Sequence, residues 1–309
     1  MDKSERRKLL EEKIKKLNKG NPIISMASSK VRNEYVSCVH PKINELCGGG
    51  TTKGQYTVIY GKQSVGKTTL VLQMIAEAQQ KDQVCCLIDL EHGWDLSRAN
   101  QFGINLDELI LVDKASTAEE AMDIINAFAR DKLVDIVFVD SVHAMSPEGE
   151  QQTKQGKIKS MADDTMALLA RKLGEFFRKT SSHIYRANIS VVLLGQVRTM
   201  GIGGFAPRDG LSGGNSLGHW ASTILYMRRG QKADAPVSKE RVEYVDPEGK
   251  TRKKTVTTPI GFDLVMKLEK TKNSDGMPES SEIHIPFYFK EGFKEPVNED
   301  ELLMAINPE

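Results

Sequence analysis

The chain has almost no net charge, few cysteines and no long apolar run. Its 43 Lys and Arg offset 42 Asp and Glu to leave +1. That balance excludes a uniformly basic nucleic-acid coat, so any site for a polyanion must be a local patch. With 39% hydrophobic and 28% charged residues the chain also falls outside the disordered class. No run of uncharged apolar residues is long enough to span a bilayer, and the N-terminus carries Lys3, Arg6, Arg7, Lys13, Lys15 and Lys16 without the apolar centre of a signal. A soluble cytoplasmic protein with no membrane partner is predicted. Cys38, Cys47, Cys85 and Cys86 lack the C-x-x-C spacing of a zinc site. Cys85 and Cys86 stand in an apolar run that reads as a buried strand, so reduced structural thiols are expected.

The 309 residues suggest one sizeable domain with appendages. Residues 4–18 place Leu9, Leu10, Ile14 and Leu17 at helical spacing in a charged segment, and Asn21-Pro22 breaks the pattern. Ile23 to Met26 can form a short strand before an Ala-Ser-Ser linker. A helix and strand this small must dock on something, either their own domain or a neighbouring subunit. The segments expected are therefore 1–30, a core at 31–295 and a short tail at 296–309.

From Tyr56 onward, short apolar runs alternate with helical stretches: YTVIY, VLQMIAEAQQ, VCCLIDL, a helix near Leu96, LILVD, AMDIINAFA, VDIVFVDSV and SVVLLGQ. Runs apolar on both faces predict a mostly parallel central sheet covered by helices, a doubly wound α/β fold. Ligands of such sheets gather at the carboxyl ends of the strands. After Leu217, STILYMRRG, RVEYV, KKTVTT, DLVMKLEK and EIHIPFYF read as antiparallel hairpins, with residues 231–258 a solvated surface hairpin. The last residues are too few for another domain.

Gly61-Lys62-Gln63-Ser64-Val65-Gly66-Lys67-Thr68, followed by Thr69, matches G-x-x-x-x-G-K-[ST] between a strand and an apolar helix, the context this phosphate loop requires. Its glycines let backbone N–H groups wrap phosphates and the helix start adds positive potential. Lys67 can neutralise β/γ oxygens, and Thr68 can offer its hydroxyl to Mg2+. Asp140, closing VDIVFVD, is the type of carboxylate that completes the metal shell. Glu91, just past LIDL, falls where a water attacking the γ-phosphate is oriented or deprotonated. His92 beside it reads as structural, because magnesium prefers oxygen ligands.

GKQSVGKTT, LIDLEH, VDIVFVDSV, LLGQVR and SGGNSLGHWAS occur in the order found in bacterial and phage recombinases of the RecA family, and the chain resembles that family over roughly residues 8–295. The resemblance implies an ATPase core that binds ATP and Mg2+, with Glu91 as catalytic carboxylate, Asp140 in the magnesium shell and Asp95 near the adenine. Arg98 stands where bacterial members stack a tyrosine. Gln196 would sense the γ-phosphate and signal to the loop that follows. Lys270 and Lys272 would reach the ATP of an adjacent subunit, so that hydrolysis requires assembly; taken alone, they read as a solvated strand end. The chain stops soon after the core's last strands, so the small C-terminal domain of most bacterial members is expected to be absent, as in a compact phage-type recombinase or a trimmed chain.

Two mobile loops are expected at the carboxyl edge: residues 147–164, with Lys154, Lys157 and Lys159, and the glycine-rich residues 198–214. By the resemblance both line a filament axis, the second closing on Gly213, Gly214 and Asn215. Arg171 and Arg178 share a helix face two turns apart. That spacing alone fits plain solvent-facing charge, but the resemblance puts both beside DNA, together with Arg198. The partners implied are single-stranded and double-stranded DNA, further copies of the chain in a helical filament, and a single-strand-binding protein or loader. The reading is a DNA-dependent ATPase of homologous pairing and strand exchange, in recombination and repair. A hexameric replicative helicase and a regulatory ATPase of the same fold remain the alternatives. The first normally has a separate N-terminal domain, and the second would have no use for the lysine-bearing and glycine-rich loops.

Overall fold

The computed structural model describes residues 2–18, 34–151, 168–200, 208–211, 215–231, 235–245 and 251–294. Contacts divide the chain into Met1–Glu34 and Tyr35–Glu309. The first unit holds α1 (Lys3–Asn18), whose start is closed reciprocally: Glu5 N–H donates to Asp2 Oδ1 at 2.8 Å and Asp2 N–H to Glu5 Oε2 at 3.0 Å. Leu9, Leu10 and Leu17 on α1 are exposed. The strand expected at Ile23 to Met26 lies outside the described residues.

In the second unit, β1 (Tyr35–Val36), α2 (Pro41–Cys47) and β2 (Thr51–Thr52) lead into β3 (Tyr56–Gly61) and α3 (Lys67–Gln79). There follow β4 (Cys85–Asp89), α4 (Leu96–Gln101), β5 (Ile110–Val112), α5 (Ala118–Asp131), β6 (Ile136–Asp140), α6 (Glu148–Gln151) and α7 (Leu168–Ala187). The chain continues through β7 (Ser190–Met200), β8 (Arg208–Leu211), α8 (Asn215–Trp220), β9 (Thr223–Arg229), β10 (Val237–Val245), β11 (Thr251–Pro259), β12 (Gly261–Thr271), β13 (Glu282–Tyr288) and β14 (Gly292–Phe293).

One sheet runs β14-β13-β12-β9-β3-β7-β6-β4-β5, with β8 pairing β7 beside it. From β9 to β5 all neighbours are parallel, and β12, β13 and β14 are antiparallel. The fold is thus a mostly parallel α/β sheet with antiparallel strands at its C-terminal end. STILYMRRG supplies β9, which pairs antiparallel with β12 as expected and, on its other side, parallel with β3, so it also belongs to the wound core. The alternation of β3 sends Tyr56, Val58 and Tyr60 to one face and Ile59 to the other. On the Ile59 side lie α2, α3 and α4, through Ile43, Leu70, Met74 and Ala99; on the other, α5, α7 and α8, through Ile125, Phe177 and Leu217. Each such Ile, Leu, Met or Phe side chain contributes roughly 1.5–3 kcal/mol on burial, enough to make the central strands the rigid part on which the site is mounted.

The described residues include parts of the two expected loops. Residues 148–151 form α6, and 152–164 lie outside the described residues. In the second loop, β7 continues to Met200 and pairs antiparallel with β8, from Val197↔Leu211 to Met200↔Arg208. This stem is a ladder, since backbone groups so close in space satisfy each other. All four cysteines are buried and free; burial pushes the thiols of Cys85 and Cys86 up to about 12, so they are unreactive at neutral pH. No helix among the described residues is long and apolar enough to cross a membrane.

Candidate nucleotide and nucleic-acid site

The loop between β3 and α3 is shaped by two glycines. A Cβ on Gly61 would lie 2.3 Å from the carbonyl oxygen of Met227 on β9, and one on Gly66 would lie 2.7 Å from the Phe287 ring. Gly66 also has φ +97°, which L side chains rarely adopt. It is the N-cap of α3 and offers no side chain to the first N–H groups of that helix, which leaves them for an anion. Lys62, Gln63 and Ser64 are exposed, Val65 is buried and anchors the loop from below, and Thr69 is half-buried. The Lys67 ammonium spans the loop, donating to Gly61 O at 3.0 Å and Lys62 O at 2.8 Å. Burial pulls its pKa down, against the opposing pull of Asp140 and Glu91.

Thr68 Oγ1 donates to Asp140 Oδ2 at 2.6 Å. Asp140 ends β6, two strands from β3, and is only 8% exposed. Burial raises its pKa, as do the neighbouring Glu91 and Asp89 carboxylates, while the Thr68 bond lowers it. A hard oxygen pair of this kind, its carboxylate buried and lying beside a phosphate cradle, fits Mg2+.

Glu91 stands one residue beyond Leu90, past the end of β4. Its backbone is pinned because Leu90 and Glu91 N–H both donate to Asp140 O, at 2.7 and 3.2 Å. Buried Asp89 orders the next turn by accepting from Gly93 and Trp94 N–H at 3.2 and 2.8 Å. Glu91 Oε1 accepts two bonds, from Ser141 Oγ and from Gln196 Nε2, the latter at 3.0 Å. Gln196 is held in turn where its N–H donates to His143 Nδ1 at 2.9 Å. The structure thus joins Gly61 to Thr69, Asp140, Glu91 and Gln196 at one sheet edge. It adds Ser141 and His143, which sequence reasoning missed. Ser141 lay in plain view after Asp140; His143 had no signal, since its partner is 53 residues away.

Arg229 was missed as well. It ends β9, donates to Ser64 O at 2.9 Å and lies 4.5 Å over the Phe262 ring, bracing the loop from the sheet. Asp95 caps α4, accepting from Ser97 and Arg98 N–H at 2.9 and 3.3 Å. The Arg98 guanidinium bonds Phe289 O at 3.0 Å and Thr69 Oγ1 at 3.4 Å and lies 5.0 Å over Phe102. It therefore ties α4 to the rim of the phosphate loop.

Lys270 and Lys272 lie elsewhere. Lys270 pairs with Ile224, which pairs with Val58. That level is three residues, roughly 10 Å of strand, below Gly61. The Lys270 amine donates to Gly218 O at 2.7 Å and His219 O at 3.1 Å, near the end of α8, and burial lowers its pKa, as does Lys272. Lys272 N–H donates to Ser222 O at the same amino-terminal edge. Among the described residues neither contacts the phosphate loop of its own protomer.

Arg171 and Arg178 line a cleft of about 630 Å³ with Gly174 and Ser216, where α7 meets α8. Asn215 begins α8, and Arg198 pairs with Gly210 in the β7–β8 stem. Lys154, Lys157, Lys159, Gly213 and Gly214 lie outside the described residues.

Comparison with known proteins agrees with this arrangement. The family model of the RecA N-terminal domain matches residues 8–262. Protein RecA of Colwellia psychrerythraea is 38% identical over 185 residues, 60% of this chain and 51% of that protein. Protein RecA of a Nitratiruptor species is 37% identical over 182 residues, 59% of this chain and 51% of the relative. The chain thus spans about half the length of the curated relatives it matches. The crystal structure of the RadB recombinase superposes with a TM-score of 0.57 over 85% of this chain and 100% of that one; at 20% identity it shows the fold alone. With the phosphate loop and its strand-end acids in place and the match spanning most of its length, the chain belongs to the RecA N-terminal domain family.

Proposed function

We propose that this chain is a DNA-dependent ATPase that assembles on single-stranded DNA as a helical filament and pairs it with a homologous duplex, in recombination and repair. The observation that carries the reading is the Glu91–Gln196 hydrogen bond at 3.0 Å. It links the nucleotide edge to β7, and β7 runs without interruption into the glycine-rich loop.

The cradle of Gly61 to Thr69 would bind ATP through backbone N–H groups, with Lys67 turning from the Gly61 and Lys62 carbonyls to the β/γ oxygens. Mg2+, held by Thr68 and Asp140, would draw charge from the phosphate oxygens. Glu91 orients the attacking water and accepts its proton. Gln196 exchanges Glu91 for the γ-phosphate, releasing the carboxylate for that task and shifting β7 with the loop behind it. Asp95 and Arg98 border the base. Lys270 and Lys272 would complete the site of a neighbouring copy, a reading supported by their position at the edge of the sheet away from the phosphate loop. The exposed leucines of α1 suit contact between copies.

Arg171, Arg178, Arg198 and the loop residues Lys154, Lys157, Lys159, Gly213, Gly214 and Asn215 would hold the phosphate backbone. Such contacts carry no sequence information and leave homology to base pairing. A single-strand-binding protein or loader would assist assembly. ATP turnover with and without single-stranded DNA, followed by strand exchange between homologous substrates, tests the reading. Turnover indifferent to DNA refutes it.

A further inference from the structure

A single short turn grips both partners of the Glu91–Gln196 hydrogen bond. Past the end of β6, Val142–Ala144 form one 3-10 turn, in which Ala144 N–H donates to Ser141 O at 3.1 Å and Met145 N–H to Val142 O at 3.3 Å. Ser141, at its start, donates Oγ to Glu91 Oε1, the same atom that Gln196 Nε2 reaches at 3.0 Å. His143, two residues on, accepts the backbone N–H of Gln196 at Nδ1, at 2.9 Å. One side chain of the turn thus holds the carboxylate, and another holds the backbone of the residue whose amide meets it.

The sheet explains why a side chain is needed there. β6 pairs with β7 only as far as Val139↔Leu193, whereas β7 continues to Met200. Gln196 is half-buried, and its N–H needs an acceptor that β6, which ends at Asp140, does not supply. The imidazole of His143 takes the place of the strand. Gly195 makes room for it: a Cβ on that residue would lie 3.6 Å from His143 Cε1, 3.1 Å from Tyr60 Cβ and 3.0 Å from Leu211 Cδ1. Leu211 ends β8 and pairs with Val197 in the stem of the glycine-rich loop. The ring of His143 therefore lies against β7 where the nucleotide edge gives way to that stem. An amide that exchanges one partner for another moves its strand by a defined amount only if its own backbone is held.

We infer that His143 is a positioning residue for the signal from nucleotide to DNA loop: its Nδ1 fixes the backbone of Gln196, so that the partner taken by the side-chain amide is passed to the β7–β8 stem. This rests on the DNA-dependent reading above. The test uses the full chain. His143→Leu removes the acceptor at similar volume, and His143→Asn keeps one, with Oδ1 in the place of Nδ1, while removing the ring. His143→Ala repeats the first change should the leucine variant not fold. Each is made in the parent and in Gln196→Ala, and ATP is titrated with and without single-stranded DNA, which separates kcat from KM.

The ratio of turnover with and without DNA is expected to fall about tenfold in His143→Leu, with KM for ATP within a factor of about 3 of the parent's. His143→Asn should stay within about twofold of the parent, and in the Gln196→Ala background the leucine change should alter the ratio by less than about twofold, since the two residues act as one unit. A leucine variant with the parent's ratio overturns the inference. So does an asparagine variant that falls as far as the leucine one, which would assign the effect to ring packing, and so does a full further loss in the Gln196→Ala background, which would mean that His143 acts elsewhere. A parent whose turnover ignores DNA defeats the functional reading and this inference with it, whereas a stimulated parent beside an equally stimulated leucine variant defeats the inference alone.

Discussion

If Lys270 and Lys272 act on the nucleotide of a neighbouring copy, two inactive variants should restore each other. Glu91→Gln removes the carboxylate at the phosphate-loop edge, and Lys270→Ala removes an amine at the opposite edge, roughly 10 Å of strand away. In a head-to-tail filament each interface joins the loop edge of one protomer to the lysine edge of the next. A random equal mixture then has about a quarter of its interfaces built from an intact loop edge and an intact lysine edge, and DNA-stimulated turnover should recover to about a quarter of the parent's. Residues acting only within their own protomer would leave the mixture as inactive as its components. Because the Lys270 amine also bonds Gly218 O and His219 O, its loss weakens the end of α8 by about 1 kcal/mol; Lys272→Ala, without that bond, serves as the second test. A mixture no more active than either component, or a lysine variant with normal turnover, refutes the shared site.

Two further outcomes follow from the nucleotide edge. Gln196→Ala removes a hydrogen bond to a carboxylate, and because Glu91 is exposed the effect should fall near the lower end of such couplings. DNA stimulation of turnover, read as the ratio of rates with and without single-stranded DNA, should fall about tenfold, while nucleotide affinity stays within a factor of about 3. An unchanged ratio would show that β7 does not carry the signal. For Asp140, the folded pKa is raised, so its stabilising contribution is present below the ordinary carboxylate value and is lost as pH rises through the raised one. Asp140→Asn, which still accepts from Thr68, should therefore melt a few degrees higher than the parent at neutral pH in the absence of nucleotide. The gain should vanish in acid, and Mg2+-dependent nucleotide binding should be lost. A variant that melts lower at neutral pH contradicts this account of the buried carboxylate.

The parts legible in the sequence are those whose signal is local. The spacing from Gly61 to Thr68 between an apolar strand and an apolar helix was enough to locate the phosphate cradle, because eight consecutive residues make it. Two-sided apolar runs indicated a parallel sheet, and the polar, turn-rich composition of residues 231–258 indicated a hairpin.

What depended on strand order was hidden. Gln196 and Glu91 are 105 residues apart and meet only because β4, β6 and β7 are consecutive in the sheet. STILYMRRG carries no mark of being parallel, since a strand's direction is set by the partner it reaches and not by its own composition. Likewise Lys270 and Lys272 have the same local pattern wherever the strand is laid. Only the antiparallel pairing of β12 on β9 turns them to the edge away from the phosphate loop. The residues by themselves determined which chemistry this chain can hold; tertiary structure decided which of those residues share one edge of the sheet and which lie at the opposite edge, because hydrogen-bonded register, unlike spacing, joins residues far apart in the chain.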